Sequence, residues 1–199
     1  MRLLVIGGIV VVLLAAGVRA VTWYQKDGQY SSRAASELSS QQAEIEECKG
    51  RLATLHAAWE SYRKANGGAS PPSVESMVPK HLKDPKLLFC PTAERWKGKA
   101  IMAQGNIKVG DKEYPVTYAF KWMVPGYDRF LGSRGENSVL VVCETHREGV
   151  YRAAYQKPPQ LGTFDPSGRG SMADSVNKAP ILALRRSGAV DVIGAEELD

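Results

Sequence analysis

The sequence predicts an α+β fold in which an N-terminal membrane helix leads into a long α-helix packed on a small antiparallel β-sheet. Three observations predict it. Leu3 to Val18 is sixteen residues with no polar side chain, flanked by Arg2 and Arg19. From Ala34 to Lys64 strong helix formers carry apolar residues at heptad spacing, and beyond Pro91 the period becomes two. The expected organisation is residues 1–24 as transmembrane anchor or signal peptide, 25–33 as linker and 34–199 as one globular domain.

The apolar segment is shorter than the roughly 20 residues that hydrocarbon thickness requires, unless Ala20 to Tyr24 join it. Trp23 and Tyr24, followed by Lys26, have the pattern of an interfacial aromatic belt with a charged stop, which favours an uncleaved anchor. Val18-Arg19-Ala20 also approximates a small-x-small cleavage site, the mark of a signal peptide. Both readings carry the remainder of the chain across the membrane. Residues 25–33 are polar, contain Gly28 and read as a linker or a weak point in a helix.

On the long helix, Leu38, Ile45, Leu52 and Trp59 recur every seven residues, and Cys48, Leu55 and Tyr62 supply the second position. The charge pattern gives few coiled-coil complements, so Ile45, Leu52, Leu55, Trp59 and Tyr62 are expected to form a core stripe lying across a sheet. Gly67-Gly68 supplies a left-handed stop. After Pro71-Pro72, Ser73 reads as the cap of a short helix reaching Met77 or His81, and Lys83-Asp84-Pro85 as a turn into Leu87-Leu88-Phe89-Cys90, which Pro91 ends. Tyr114 to Trp122 and Ser138 to Cys143 are strand candidates. Ile181 to Leu184 and Ala189 to Ile193 form a hairpin about a two-residue Ser187-Gly188 turn. Arg95 to Asp111 reads as loop with a weak strand at Ala100 to Ala103, and Gly162 to Asp174 as a polar, glycine-rich loop.

The net charge of +5 falls to +3 without Arg2 and Arg19, and no basic run is interleaved with aromatics, so a nucleic-acid partner is not expected. Cys48, Cys90 and Cys143 show no C-x-x-C pair and no His at zinc spacing, so no metal is expected from them. In an oxidising compartment one disulfide and one free thiol is the simplest arrangement, and Cys48–Cys90 would close a loop worth about 4 kcal/mol. Three independently buried thiols is the alternative. Cys143-Glu144-Thr145-His146 is the nearest approach to a nucleophile beside a base. Continued as a strand, it would turn Cys143 and His146 to opposite faces, leaving His146 in a surface loop. His56 and His81 read as boundary residues of helical segments, and Tyr118, Trp122 and Tyr127 as core and rim. Asp165 and Asp174 lack the calcium-loop spacing, and Gly105 to Gly110 lacks the Lys and Thr order of a phosphate loop. No catalytic, cofactor or metal residue is expected.

The run from Cys48 through Tyr62, Asn66-Gly67-Gly68 and Pro72 to Leu82-Lys83-Asp84-Pro85-Lys86 and Phe89-Cys90-Pro91 resembles the bacterial pseudopilin-like proteins, relatives of type IV pilins and of the type II secretion pseudopilins. Val116 to Phe120, Val139 to Val142 and the hairpin at Leu182 to Ile193 fall where that family places its sheet. The resemblance implies a pilin-like fold, a single-pass inner-membrane protein with its head in the periplasm or outside the cell, and a non-enzymatic structural or assembly role. It implies as partners the membrane and pilin-like subunits or copies of itself. A tethered or secreted binding module on the same scaffold, outside any filament, is the alternative. The processing motif of the family is missing: Gly7-Gly8-Ile9 is followed by Val10 to Leu14, with no glutamate at the fifth place after the glycine. Ser187-Gly188-Ala189 stands where many members carry Asp-Gly-His.

Overall fold

A computed structural model describes residues 29–96, 105–127, 133–155 and 180–194. It is mixed α+β with antiparallel sheets. The apolar segment 3–18, the weak strand at 100–103 and the loop 162–174 lie outside the described residues. Among the described residues no helix is long and apolar enough to cross a membrane.

Helix α1 covers residues 29–40, so the segment expected as linker is helical from residue 29. A single turn residue, Gln41, separates it from α2, Gln42–Ala65. The break has a local cause. The Ser40 hydroxyl donates to Glu37 O at 2.8 Å, competing for a carbonyl that the helix ladder uses. The backbone hydrogen bonds nevertheless continue across it, with Gln41 N donating to Glu37 O at 3.1 Å and Ile45 N to Gln41 O at 2.8 Å. At the other end Gly68 N donates to Arg63 O at 2.8 Å, and Gly67 takes φ +64° at the position that closes such a cap.

The chain then makes 3₁₀ turns where the sequence suggested a short helix and a plain turn. Glu75–Met77 is one, and Pro85–Leu88 the other, capped by Asp84 Oδ1 accepting from Lys86 N at 3.0 Å. Pro91 ends the apolar run but also opens helix α3, Pro91–Arg95, at the first-turn position where proline's fixed φ and missing N–H cost nothing. Strands β1, Gly105–Val109, and β2, Lys112–Val116, form a separate hairpin, so the loop expected from Arg95 to Asp111 contains a strand. The single strand expected over Tyr114 to Trp122 is split. β2 ends at Val116, β3 is Ala119–Phe120, and Lys121–Met123 is a 3₁₀ turn.

The main sheet has the order β3-β4-β5-β6, all antiparallel, with β4 as Val139–Cys143, β5 as Ile181–Arg185 and β6 as Val190–Ile193. The β5–β6 loop is longer than a two-residue turn. Gly188 N donates to Arg185 O and Arg185 N to Ala189 O, which is a type I turn closed by a left-handed glycine. Gly188 has φ +87°, and a Cβ there would lie 3.0 Å from the His56 ring. Gly188→Ala is therefore expected to destabilise the domain by about 1–2 kcal/mol, read as a lowered urea midpoint.

Helix α2 lies on one face of this sheet. Ile45, Cys48, Leu52, Leu55, Ala58 and Trp59 are buried, with Tyr62 packed at the margin. They meet Leu140, Val141, Cys143, Leu182 and Leu184, while Val142, Ile181, Ala183 and Ile193 form a second cluster. Trp59 and Trp122 have ring centroids 6.4 Å apart, and Arg63 stands over the Trp59 ring at 4.5 Å. Helix α4, Thr145–Tyr155, begins two residues after β4 and packs against α3 and β5.

Candidate functional site

Four elements bring three cysteines and a histidine together in the core. Cys48 comes from the buried stripe of α2, Cys90 from the junction before α3, Cys143 from the last position of β4, and His146 from the first turn of α4. All four are 0% exposed. One ligand atom from each (three Sγ and an imidazole nitrogen) forms a group in which no two atoms are more than 4.8 Å apart.

This overturns the expectation that Cys143 and His146 diverge. The strand ends at Cys143, Glu144 is the exposed link, and the chain turns into α4, so the histidine swings back over the cysteine. His146 is therefore a core residue and not a surface loop residue. Its helix carried a legible signal: His146, Gly149, Val150 and Ala153 fall at i, i+3, i+4 and i+7, and the first three are buried. Gly149 lets α4 approach closely, since a Cβ there would lie 2.7 Å from Gln41 Nε2 and 3.2 Å from Thr92 Cγ2.

The expected Cys48–Cys90 pair is brought together, but with Cys143 as a third sulfur, and all three are free thiols. Cys90 is fixed by its backbone N–H, which donates to Thr117 Oγ1 at 2.7 Å, and by Arg51, whose guanidinium donates to Phe89 O. Tyr118, also fully buried, places its hydroxyl 3.5 Å from Cys48 Sγ.

The histidine is oriented by a chain of hydrogen bonds. The Thr92 hydroxyl donates to Glu44 Oε2 at 2.8 Å. Its single proton being used there, it accepts from His146 Nδ1 at 2.8 Å. Nδ1 thus carries the hydrogen, and Nε2 faces the sulfurs, 3.7 Å from Cys90 Sγ. Glu44 is held in turn by Arg95, through Nε at 2.6 Å and Nη2 at 3.1 Å, and Arg95 also bonds Glu37 on α1.

The sulfurs do not ionise independently. Burial opposes a charge on Cys90, but hydrogen bonds from Cys143, Cys48 and His146 outweigh it and hold its thiol below the usual value. Burial and the neighbouring sulfurs push Cys143 well above its usual value. A hydrogen bond from Cys143 draws Cys48 down, yet Cys90 and burial together carry it upward. The group is a compact set of three sulfurs and an imidazole nitrogen. Its chemistry is that of a soft ligand set or of thiol oxidation. All four side chains are closed off from solvent.

The ion pairs beside the site carry a pH dependence of their own. Burial raises the Glu37 carboxyl, but the hydrogen bonds from Arg95 and Gln41 outweigh it and place it below the ordinary carboxylate range. A depressed carboxyl contributes stability above its unfolded value, about pH 4, and loses it as pH falls through the folded value. Amide-exchange protection in residues 29–40 is therefore expected to fall as pH drops below about 4, and Arg95→Gln to weaken that dependence.

The other histidines lie apart from the cluster. His56 Nε2 is 2.9 Å from Arg186 O, and His81 Nδ1 is 2.9 Å from Ser61 Oγ. Tyr118 and Trp122 are buried and Tyr127 is half-buried, as core and rim residues. Comparison with protein-family models, with curated proteins and with solved structures gave no match to this chain.

Proposed function

We propose that this chain is a non-enzymatic, membrane-anchored protein on a pilin-like scaffold, with a structural or assembly role in a secretion or pilus-like system of the cell envelope. The observation that carries the reading is the helical path from residue 29 to Ala65, which follows the apolar segment 3–18 in sequence and lays its stripe across an antiparallel sheet. Such a helix couples an anchored N-terminus mechanically to a globular head.

A second reading, a tethered binding module outside any filament, has an observation of its own. A groove of about 560 Å³ between the end of α2 and the Lys121–Gly126 turn is lined by Trp59, Trp122, Pro71 and Pro72, with Arg63 and Arg186 at its edges. Most of the surface it offers is polar, so the partner it suits is a polar one.

A photo-crosslinker at the exposed Ser32, Ser36 or Ser39 of the full chain tests the assembly role. Crosslinks among copies or to pilin-like subunits are expected; monomer alone in the membrane fraction supports the second reading. The mature N-terminal residue tests the anchor: Met1 marks an uncleaved anchor, Val21 a signal peptide and Ile9 pilin-type processing.

A further inference from the structure

We propose that Cys48 Sγ, Cys90 Sγ, Cys143 Sγ and His146 Nε2 are the four ligands of a structural Zn²⁺ centre. The inference stands independently of the anchoring and assembly reading.

The donor set fits the ion in number, type and spacing. Zinc takes four ligands tetrahedrally, with Zn–S near 2.3 Å and Zn–N near 2.0–2.1 Å, so neighbouring ligands sit about 3.6–3.8 Å apart. The 3.7 Å from Cys90 Sγ to His146 Nε2 is already such an edge. No pair exceeds 4.8 Å, so the largest contraction any edge needs is about 1 Å, within reach of thiol rotation. Cys143 and His146 are separated by only two residues, and the turn between β4 and α4 presents both to the same point.

The surroundings point the same way. A histidine ligand needs its far nitrogen held by a donor–acceptor partner, and Nδ1 is bonded to Thr92, itself bonded to Glu44. That arrangement leaves the lone pair of Nε2 facing the three sulfurs. Without an ion, three thiols and an imidazole nitrogen are packed against one another inside a core, an arrangement with no packing advantage over aliphatic residues. With four protein ligands and no exposure, the centre is closed and has no position for substrate or water. Binding releases the thiol protons to solvent, leaving three thiolates and a neutral imidazole around the dication.

The test uses the full chain, purified in detergent without a polyhistidine tag, with a phosphine reductant, after zinc loading and removal of excess. Elemental analysis is expected to give about one zinc per chain, and below about a tenth of that for Cys143→Ser or His146→Asn. Where these variants fail to fold, the wild-type chain still decides. Its three thiols are expected to resist maleimide until a chelator is added, and cobalt in place of zinc to give the spectrum of a tetrahedral thiolate site. Thr92→Val is expected to retain the ion with about 10–100-fold weaker affinity. A folded wild-type chain that holds no zinc under these conditions, or a disulfide between any two of these cysteines in the native protein, overturns the proposal. An unchanged affinity in Thr92→Val overturns the positioning role given to that hydroxyl.

Discussion

Leu52→Asp is expected to abolish folding of the globular domain. Leu52 is 0% exposed, at the middle of the α2 stripe, against the sheet residues of the same core cluster. Removing the side chain costs about 2–5 kcal/mol by itself, and an unpaired carboxylate in its place adds several more. Together these match or exceed the whole stability of an ordinary domain, about 5–15 kcal/mol. Ala57→Asp adds the same charge at an exposed position of the same helix, and is expected to change stability by no more than about 0.5 kcal/mol. Loss of the thermal transition in the first variant and its retention in the second would establish α2 as the organising element. A cooperative transition in Leu52→Asp close to that of the wild type would remove it.

How much of this was legible in the sequence differs between the fold and the site. The heptad stripe, the Gly67-Gly68 stop, strand β4 and the terminal hairpin were readable because each rests on a local rule: periodicity, left-handed glycine or alternation. β1 was missed because its lysine and glycine content reads as loop, although Asn106 to Val109 alternates and pairs with β2. α3 was missed because Pro91 was read only as a stop, when the same ring favours the first turn of a helix. The cluster was illegible for a different reason. Its four ligands span residues 48 to 146, and zinc-motif spacing detects only pairs close in sequence. The one local pair, Cys143 and His146, was lost to a wrong period: alternation continued through Glu144 separates them, whereas a strand-to-helix switch there unites them. The helical spacing of His146, Gly149, Val150 and Ala153 was the cue that would have placed the switch.

Free zinc is expected to set the stability of the wild-type domain, with a slope that identifies the site. An ion that binds the folded chain at one site and not the unfolded one adds RT ln(1 + [Zn]/Kd), so each tenfold rise in free zinc above Kd adds about 1.4 kcal/mol. Chemical unfolding across zinc-buffered solutions measures this directly. His146→Asn keeps a polar, similarly sized side chain and is expected to flatten the dependence, while Gly188→Ala, remote from the four ligands, lowers stability without changing the slope. Cys48, Cys90, Cys143 and His146 join α2, the segment before α3, the end of β4 and the start of α4. The elements released on chelation are therefore expected to be the peripheral ones: α4 and the Cys90 junction should gain amide exchange before the β4–β5 pairing does. That order separates an ion that pins the helices to the sheet from one bound at the surface, which would leave exchange in α4 unchanged.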